Sequence, residues 1–349
     1  MNTPTPLDAL VESAAENPIA LIRLAGILRD KGEEARACDV AIRALRAAPD
    51  DAEIRSLAAN VLSPGVPHWH FQIVRDAARN AAYEAALRRH VTPQTAVLEI
   101  GTGTAILAMM AARAGAKKVV TCEMTPAIAA AAREIVAVNG YAGRISVVAK
   151  NSIDLSVEDD LGGRADLLVS EIVSNTIVGE DALPVTEHAA RALLKPGARI
   201  VPARGIVRVA LAHDALIHRR RMDTVDGFDL SIFNRLAANS YEVKCGDPRL
   251  ALLSAPADLF DFDFQSGGPF PAAAASVTLT AAAGTANGVA QWIALQMDAE
   301  GWYENKPSPG ALSAWAVIFW PFAAPRPLAA GAAVDVFGRH DRHALRIWG

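Results

Sequence analysis

Cysteine is scarce in this sequence: Cys38, Cys122 and Cys245 stand far apart and are odd in number. That spacing fits neither a disulfide framework nor a paired-cysteine metal site, and no metal is expected. An excess of positive charge is also missing. The 34 Lys and Arg face 38 Asp and Glu, for a formal net charge of −4, so the chain lacks the basic face that bulk nucleic-acid binding needs. No apolar run reaches the ~20 residues a bilayer requires. Residues 311–325 fall short, and the uncharged stretch 264–297, with Asn287 and Gln291 inside it, reads as strands. The start, MNTPTPLDALVESAAENP, has neither a basic leader region nor an apolar core, so no secretory signal is predicted. A reduced, cytoplasmic setting with no membrane and no nucleic-acid partner is expected.

What is present suits a multidomain globular protein. Apolar residues make up 52% of 349, and domains of about 150 residues predict two or three of them. Residues 7–60 are rich in Ala and Leu at helical spacing. Leu24, Leu28, Gly32, Ala37, Ala44 and Pro49 fall at the spacing of one tetratricopeptide repeat, where small residues let two antiparallel helices approach and the Pro ends the second. A plain helical hairpin fits the same residues. SPGVPHWH (63–70) interrupts the helical pattern, and a helix over 71–90 follows.

Strands and helices then alternate. Strands are predicted at 97–100, 118–123, 144–150, 165–172 and 198–203, with helices from Ala105 to Gly115, over 126–139 and over 182–195. This alternation predicts an α/β fold with a doubly wound, Rossmann-like parallel sheet. Beyond 204, short alternating runs such as IVRVAL, SVTLTA and AWAVIFW predict an antiparallel β-barrel. Three domains are expected: helical 1–62, nucleotide-binding 63–203 and barrel 204–349.

Gly101 and Gly103 lie between a predicted strand and a predicted helix, where a glycine turn presents backbone N–H groups and lets a ligand come close. Glu123 ends the next strand, placed to accept hydrogen bonds from ribose hydroxyls. A dinucleotide site wants Gly or Ala at the third position of GxGxxG, whereas Ile106 stands there. A bulky residue obstructs a pyrophosphate but not S-adenosylmethionine, which has none. The methyl donor is favoured over a nicotinamide.

Downstream, SEIVSNTIVGE places Glu171 and Glu180 nine residues apart, in a loop predicted at the C-terminal edge of the parallel sheet. Two carboxylates suit a guanidinium, whose planar fork pairs bidentately with them. Two solvated surface acids fit the spacing equally well.

At this loop the sequence resembles the protein arginine methyltransferase family. The resemblance covers roughly residues 66–349, with SEIVSNTIVGE similar to that family's double-Glu loop. It implies methylation of arginine in a protein or peptide, with Glu171 and Glu180 as the clamp. It implies that Arg79, in RDAARNAAY, pairs with the cofactor carboxylate and that Asp76 supports the site. VLEIGTGT resembles the first family motif, with Glu99 where Asp is common. Asn151 and Ser152 stand where adenine contacts are expected. A homodimer built on an arm near 232–262 is implied too, with Phe233, Leu236, Leu252, Leu253, Leu259 and Phe260 as anchors, although the same residues fit a plain barrel core; the helical N-terminus would recruit a partner or cover the cofactor. The wording of the loop is closest to the branch that makes monomethylarginine.

There are departures. The family's late Thr-His-Trp loop falls at Ser313–Ala314–Trp315, so only Trp315 remains as a substrate-side residue. His340 and His343 lie further on and are expected to face solvent. Ser174 and Asn175 replace larger or acidic residues. These changes leave room for a small guanidino or amine metabolite as acceptor, or for a repeat-containing binding protein with a degenerate enzyme core.

Overall fold

A computed structural model describes residues 6–349. They form two compact units, residues 6–74 with 91–168 and residues 75–90 with 169–349.

The first unit opens with helices α1 (Pro6–Ser13), α2 (Pro18–Asp30), α3 (Glu34–Ala47) and α4 (Ala52–Leu62). Asn17 caps α2 by accepting from the N–H of Ala20, with Pro18 in its first turn. Asp51 caps α4 through Ile54 N–H. Leu21, Ile22, Ala25 and Leu28 of α2 bury against Ala37, Ala41 and Ala44 of α3. Alanines at that seam allow the close approach expected from the sequence, and α3 ends ahead of Pro49. After the short α5 (His70–Ile73), this unit holds β1 (Ala96–Ile100), α7 (Ile106–Arg113), β2 (Lys118–Cys122), α8 (Pro126–Val138) and β3 (Ile145–Val148). Strands β1, β2 and β3 pair in parallel. Strand β4 (Ala165–Ser170) runs from the first unit into the second, and the whole sheet has the order β3-β2-β1-β4-β5, with β5 at Leu194–Val201. That is a doubly wound, Rossmann-like order.

The second unit contains α6 (Ala77–His90), α9 (Ala182–His188), β5 and an antiparallel part beginning with β6 (Arg204–Asp214). The expected single helix over 71–90 is broken. Asp76 accepts from Arg79 N–H and starts α6 afresh. The helix expected over 182–195 gives way at Ala189 to a wider turn, and β5 already includes Pro196 and Gly197.

Beyond β6 come β7 (Thr224–Val225), β8 (Phe228–Asp229), β9 (Tyr241–Val243), β10 (Leu250–Leu252) and β11 (Ala257–Phe262). They are followed by β12 (Ala273–Thr280), β13 (Gly284–Gln296), β14 (Trp302–Glu304), β15 (Val317–Leu328), β16 (Ala333–His340) and β17 (Leu345–Trp348). One sheet has the order β10-β6-β13-β15-β9, with β11 also on β6 and β14 on β13; a second has the order β12-β16-β17. Trp292 and Phe319 pack with Ala210, Ala212 and Val317 on one face of the first sheet, and the next residue, Ile293, is buried on the other face. The residues expected as arm anchors divide: Phe233 and Leu236 are exposed, but Leu259 and Phe260 are buried in the antiparallel core. His340 is also buried, edge-on to Phe260 and Phe262, contrary to the solvent-facing position expected of it. Among the described residues, no helix is long and apolar enough to cross a membrane.

Candidate active site

In the first unit the chain leaves β1 through a turn that needs positive φ at three places: Gly101 (87°), Gly103 (49°) and Ala105 (60°). The N–H groups of Gly101 and Thr102 both donate to Cys122 O at 3.1 Å, which ties the turn to the end of β2. A Cβ built on Gly103 meets only His70 Nδ1, at 3.9 Å, so space lies open beside the turn. Glu123 follows β2 and is buried. Its carboxylate accepts from Gly103 N–H (3.2 Å) and Thr125 N–H (2.9 Å). Glu99, buried under the turn, accepts from Ala108 N–H at 3.2 Å, putting negative charge at the N-terminal end of α7, where the helix dipole favours it.

Asn151 caps the short turn Ser152–Asp154 by accepting from Ile153 N–H, and Ser152 is buried. Three neighbours went unmarked in the sequence. Met124 and Ile153 expose apolar side chains directly after Glu123 and Ser152. His70 stands beside Gly103, its pKa lowered by burial despite the nearby Glu123 charge. No motif flags such residues; only their adjacency to Glu123, Ser152 and Gly103 does.

In the second unit α6 is tied at both ends to the antiparallel sheets. At its C-terminal end Arg89 grips Asp298 bidentately, at 2.7 and 2.8 Å, and His90 joins at 3.1 Å. At its start Asp76 accepts from Arg79 N–H, from Tyr303 O–H (2.7 Å) and from Ala314 N–H (3.0 Å). So held, Arg79 donates through Nη2 to Glu171 Oε2 at 2.8 Å, both side chains at least nine-tenths buried. Nη1 donates to Asn80, while Nε is buried without a hydrogen-bond partner among the described residues.

The loop from Glu171 to Asp181 is strained and strapped. Ile177, Glu180 and Asp181 have φ of 68°, 56° and 57°, a conformation costing about 1–3 kcal/mol at each non-glycine residue. Ser174 Oγ accepts from the N–H groups of Thr176 and Gly179; a Cβ on Gly179 would stand 2.4 Å from that oxygen, so only glycine fits. Asn175 donates to Glu242, accepts from Ala316 N–H, and offers its carbonyl to Gln291. Trp315 is buried and donates from its indole to Val173 O at 2.9 Å. Of the two residues that depart from the family pattern, Ser174 ties the loop to itself through Thr176 and Gly179, and Asn175 staples it to the antiparallel sheets.

This scaffold sets the electrostatics of the two acids. Burial pushes Glu171 up to about 7, against the pull of Arg79 and with the repulsion of Glu180. Burial raises Glu180 as well. The loop therefore holds two carboxylates short of solvation, one with a single cationic partner. A cation reaching Glu180 would supply what it lacks.

Over 291 residues the chain is 34% identical to an arginine N(omega)-methyltransferase of Streptomyces achromogenes subsp. streptozoticus, spanning 83% of this chain and 80% of that protein. The chain belongs to the arginine N-methyltransferase family. It is also 35% identical over 212 residues to protein arginine N-methyltransferase 7 of Drosophila grimshawi, spanning 55% of this chain but only 30% of that longer protein. Residues 84–208 match the family model for ribosomal protein L11 methyltransferase. Among solved structures, the Trypanosoma brucei PRMT1 enzyme-prozyme heterotetrameric complex with AdoHcy shares the fold, with a TM-score of 0.69 at 23% identity, over 77% of this chain and 86% of that one.

Within this family fold, the first unit brings Glu99, Gly101, Gly103 and Glu123 to one turn. The second unit gathers Asp76, Arg79, Glu171 and Trp315 into one hydrogen-bonded cluster, with Glu180 at the far end of the same loop. Tyr303, the hydroxyl that joins Asp76 to Ser313, was missed, because WYE reads as an ordinary half-buried strand.

Proposed function

We propose that the chain uses S-adenosylmethionine to methylate the guanidinium of arginine in a protein or peptide, with Glu171 and Glu180 as the clamp. The observation that carries this reading is the buried Arg79–Glu171 pair beside a strained Glu180, two carboxylates held at a cost that a surface role would not need. The residues fit the cofactor. In the first unit the open space beside Gly103 suits a nucleoside, Glu123 suits ribose hydroxyls, and Asn151 and Ser152 suit adenine; in the second unit, taken by itself, the Nε of Arg79, without a hydrogen-bond partner among the described residues, suits a carboxylate. Glu99 steadies the start of α7.

The cofactor, when bound, supplies an activated methyl group on a sulfonium. The protein's own contribution is placement and charge. A guanidinium spreads its charge over three nitrogens and is a poor nucleophile. Ionised Glu171 and Glu180, each accepting from N–H groups, draw positive charge toward the nitrogens they bind and leave electron density on the one to be methylated. The proton on that nitrogen leaves after or during transfer, and ionised Glu180 can accept it.

We further read three functional parts, 1–62, 63–203 and 204–349, with the helical part, resembling a tetratricopeptide repeat, recruiting a partner. A homodimer is supported by the exposed Phe228 on β8 and Ile232, Phe233 and Leu236 between β8 and β9, apolar side chains that water disfavours. A cytoplasmic location is supported by three free, buried cysteines. A second reading, a small guanidino acceptor such as free arginine, is favoured by one observation: the relative matched over 80% of its length is named for arginine rather than protein arginine. Labelled S-adenosylmethionine offered with an arginine-containing peptide and with free arginine separates the two. Label in peptidyl methylarginine supports the first reading, label confined to free methylarginine the second, and label in neither removes both.

A further inference from the structure

The family that this sequence resembles carries a His before its late Trp, and here that place holds Ala314. The hydrogen bonds beside Asp76 are nevertheless taken. Tyr303, buried on β14, sets its hydroxyl 2.7 Å from Asp76 Oδ2 and 2.7 Å from Ser313 Oγ. We propose that Tyr303 is a positioning residue for the double-Glu loop, its hydroxyl reaching Asp76 and Ser313 from β14; this rests on the arginine-methyltransferase reading above.

The direction of each bond is dictated by the groups. An ionised carboxylate only accepts, so Tyr303 donates to Asp76 and its oxygen accepts from Ser313 O–H. Ser313 Oγ in turn accepts from Trp315 N–H at 3.0 Å. Burial, with the Asp76 charge and against the Ser313 bond, raises Tyr303 far above the ordinary phenol range, so the donor proton stays in place.

Two routes leave this hydroxyl and both arrive at Glu171. Along one, Asp76 caps α6 at Arg79 N–H, and the guanidinium of Arg79 holds Glu171. Along the other, Ser313 holds the backbone of Trp315, whose indole holds the carbonyl of Val173, two residues past Glu171. The Tyr303 and Trp315 rings also pack at 5.3 Å. Tyr303 thus joins both supports of the clamp without touching either carboxylate.

The test uses the full-length protein as wild type, Tyr303→Phe and the double variant Tyr303→Phe with Ala314→His. Ala314 N–H already lies 3.0 Å from Asp76, so an imidazole built there starts beside the carboxylate. The first readout is the titration of Glu171 by carboxyl-13C NMR without cofactor or substrate, assigned with Glu171→Gln. The groups facing Glu171 are Arg79 and Tyr83 on α6 and Glu180 on its own loop, and all three stay unchanged in these variants. Arg79 is the largest influence that lowers Glu171, ahead of a bond from the Val173 backbone, so loosening it in Tyr303→Phe moves the midpoint to higher pH and the double variant returns it. The second readout is turnover. Displacing a reacting group by about an ångström costs on the order of 100-fold, so kcat falls about tenfold to 100-fold in Tyr303→Phe, and the double variant recovers at least tenfold. A Glu171 titration within 0.2 pH units of wild type in Tyr303→Phe, or a loss of turnover that the introduced His does not restore, overturns the proposal. If the wild type methylates no arginine acceptor, the functional reading fails, and the cofactor-free titration still decides the role of Tyr303.

Discussion

Replacing Glu171 by Gln should make the protein more stable at pH 8 while disabling it. Opposing effects act on the carboxylate: burial, joined by the Glu180 charge, penalises its ionisation, and Arg79, 2.8 Å away, joined by a bond from the Val173 backbone, stabilises it. A pKa moved from 4.5 up to about 7 says that burial wins. At about 1.4 kcal/mol for each pH unit, the ionised group costs roughly 3 kcal/mol relative to the unfolded chain. Because the folded value lies above the unfolded one, the folded state holds its proton longer. Stability from this group is therefore full below pH 4.5, declines as pH rises toward 7, and stays low above. Gln keeps the shape and an acceptor for Arg79 but never ionises. Denaturant unfolding of wild type and variant at pH 5 and pH 8 should give nearly equal stabilities at pH 5, with the variant ahead by about 2–3 kcal/mol at pH 8. A variant less stable at pH 8 than wild type would refute the reasoning, because the attraction of Arg79 would then exceed the burial cost.

Three further outcomes follow from the same geometry. Glu123→Ala should weaken S-adenosylmethionine binding by about 1–3 kcal/mol in calorimetry, the usual loss for a charge-assisted hydrogen bond, with NAD not binding either form. The pH profile of kcat/KM should rise to a plateau through a midpoint near 7, set by Glu171, and Glu171→Gln should remove that limb; an unaltered limb in the variant would contradict the assignment. Phe233→Glu, in the exposed segment after β8, should convert a dimer seen by light scattering into a monomer at micromolar concentration, and a wild type that is already monomeric would end the dimer proposal.

Local features were legible in the sequence; features that depend on distant partners were not. Gly101, Gly103 and Glu123 could be placed because a strand, a turn and a helix announce themselves over some 25 consecutive residues. Spacing placed the two acids on one loop but left a pair of solvated surface acids open; their burial, and the Arg79 pair at Glu171, depend on α6, which the spacing does not show. The break at Asp76 did not stand out, since its capping conformation is secured by Tyr303, far along the chain. Ser174 and Asn175 were noticed only as departures. Ser174 proves to bond within its own loop, to Thr176 and Gly179, while Gln291 and Ala316, the partners of Asn175, lie far along the chain, where no local pattern links them. His340 looked like a surface residue beside other polar ones, but alternation along β16 turns it inward onto Phe260 and Phe262.

The central claim is that Glu171 and Glu180 act on the acceptor rather than on the cofactor. Glu180→Gln tests it most directly, because Glu180 has no share in the Arg79 pair. Turnover of labelled methyl into arginine and calorimetric affinity for S-adenosylmethionine would be measured on the same preparation of wild type and variant. Removing a preorganised charge from a reacting centre costs about 10²–10³ in kcat, so turnover should fall by that factor with cofactor affinity within about twofold. Turnover retained at wild-type levels would show Glu180 to be a surface acid and would contradict the guanidinium clamp.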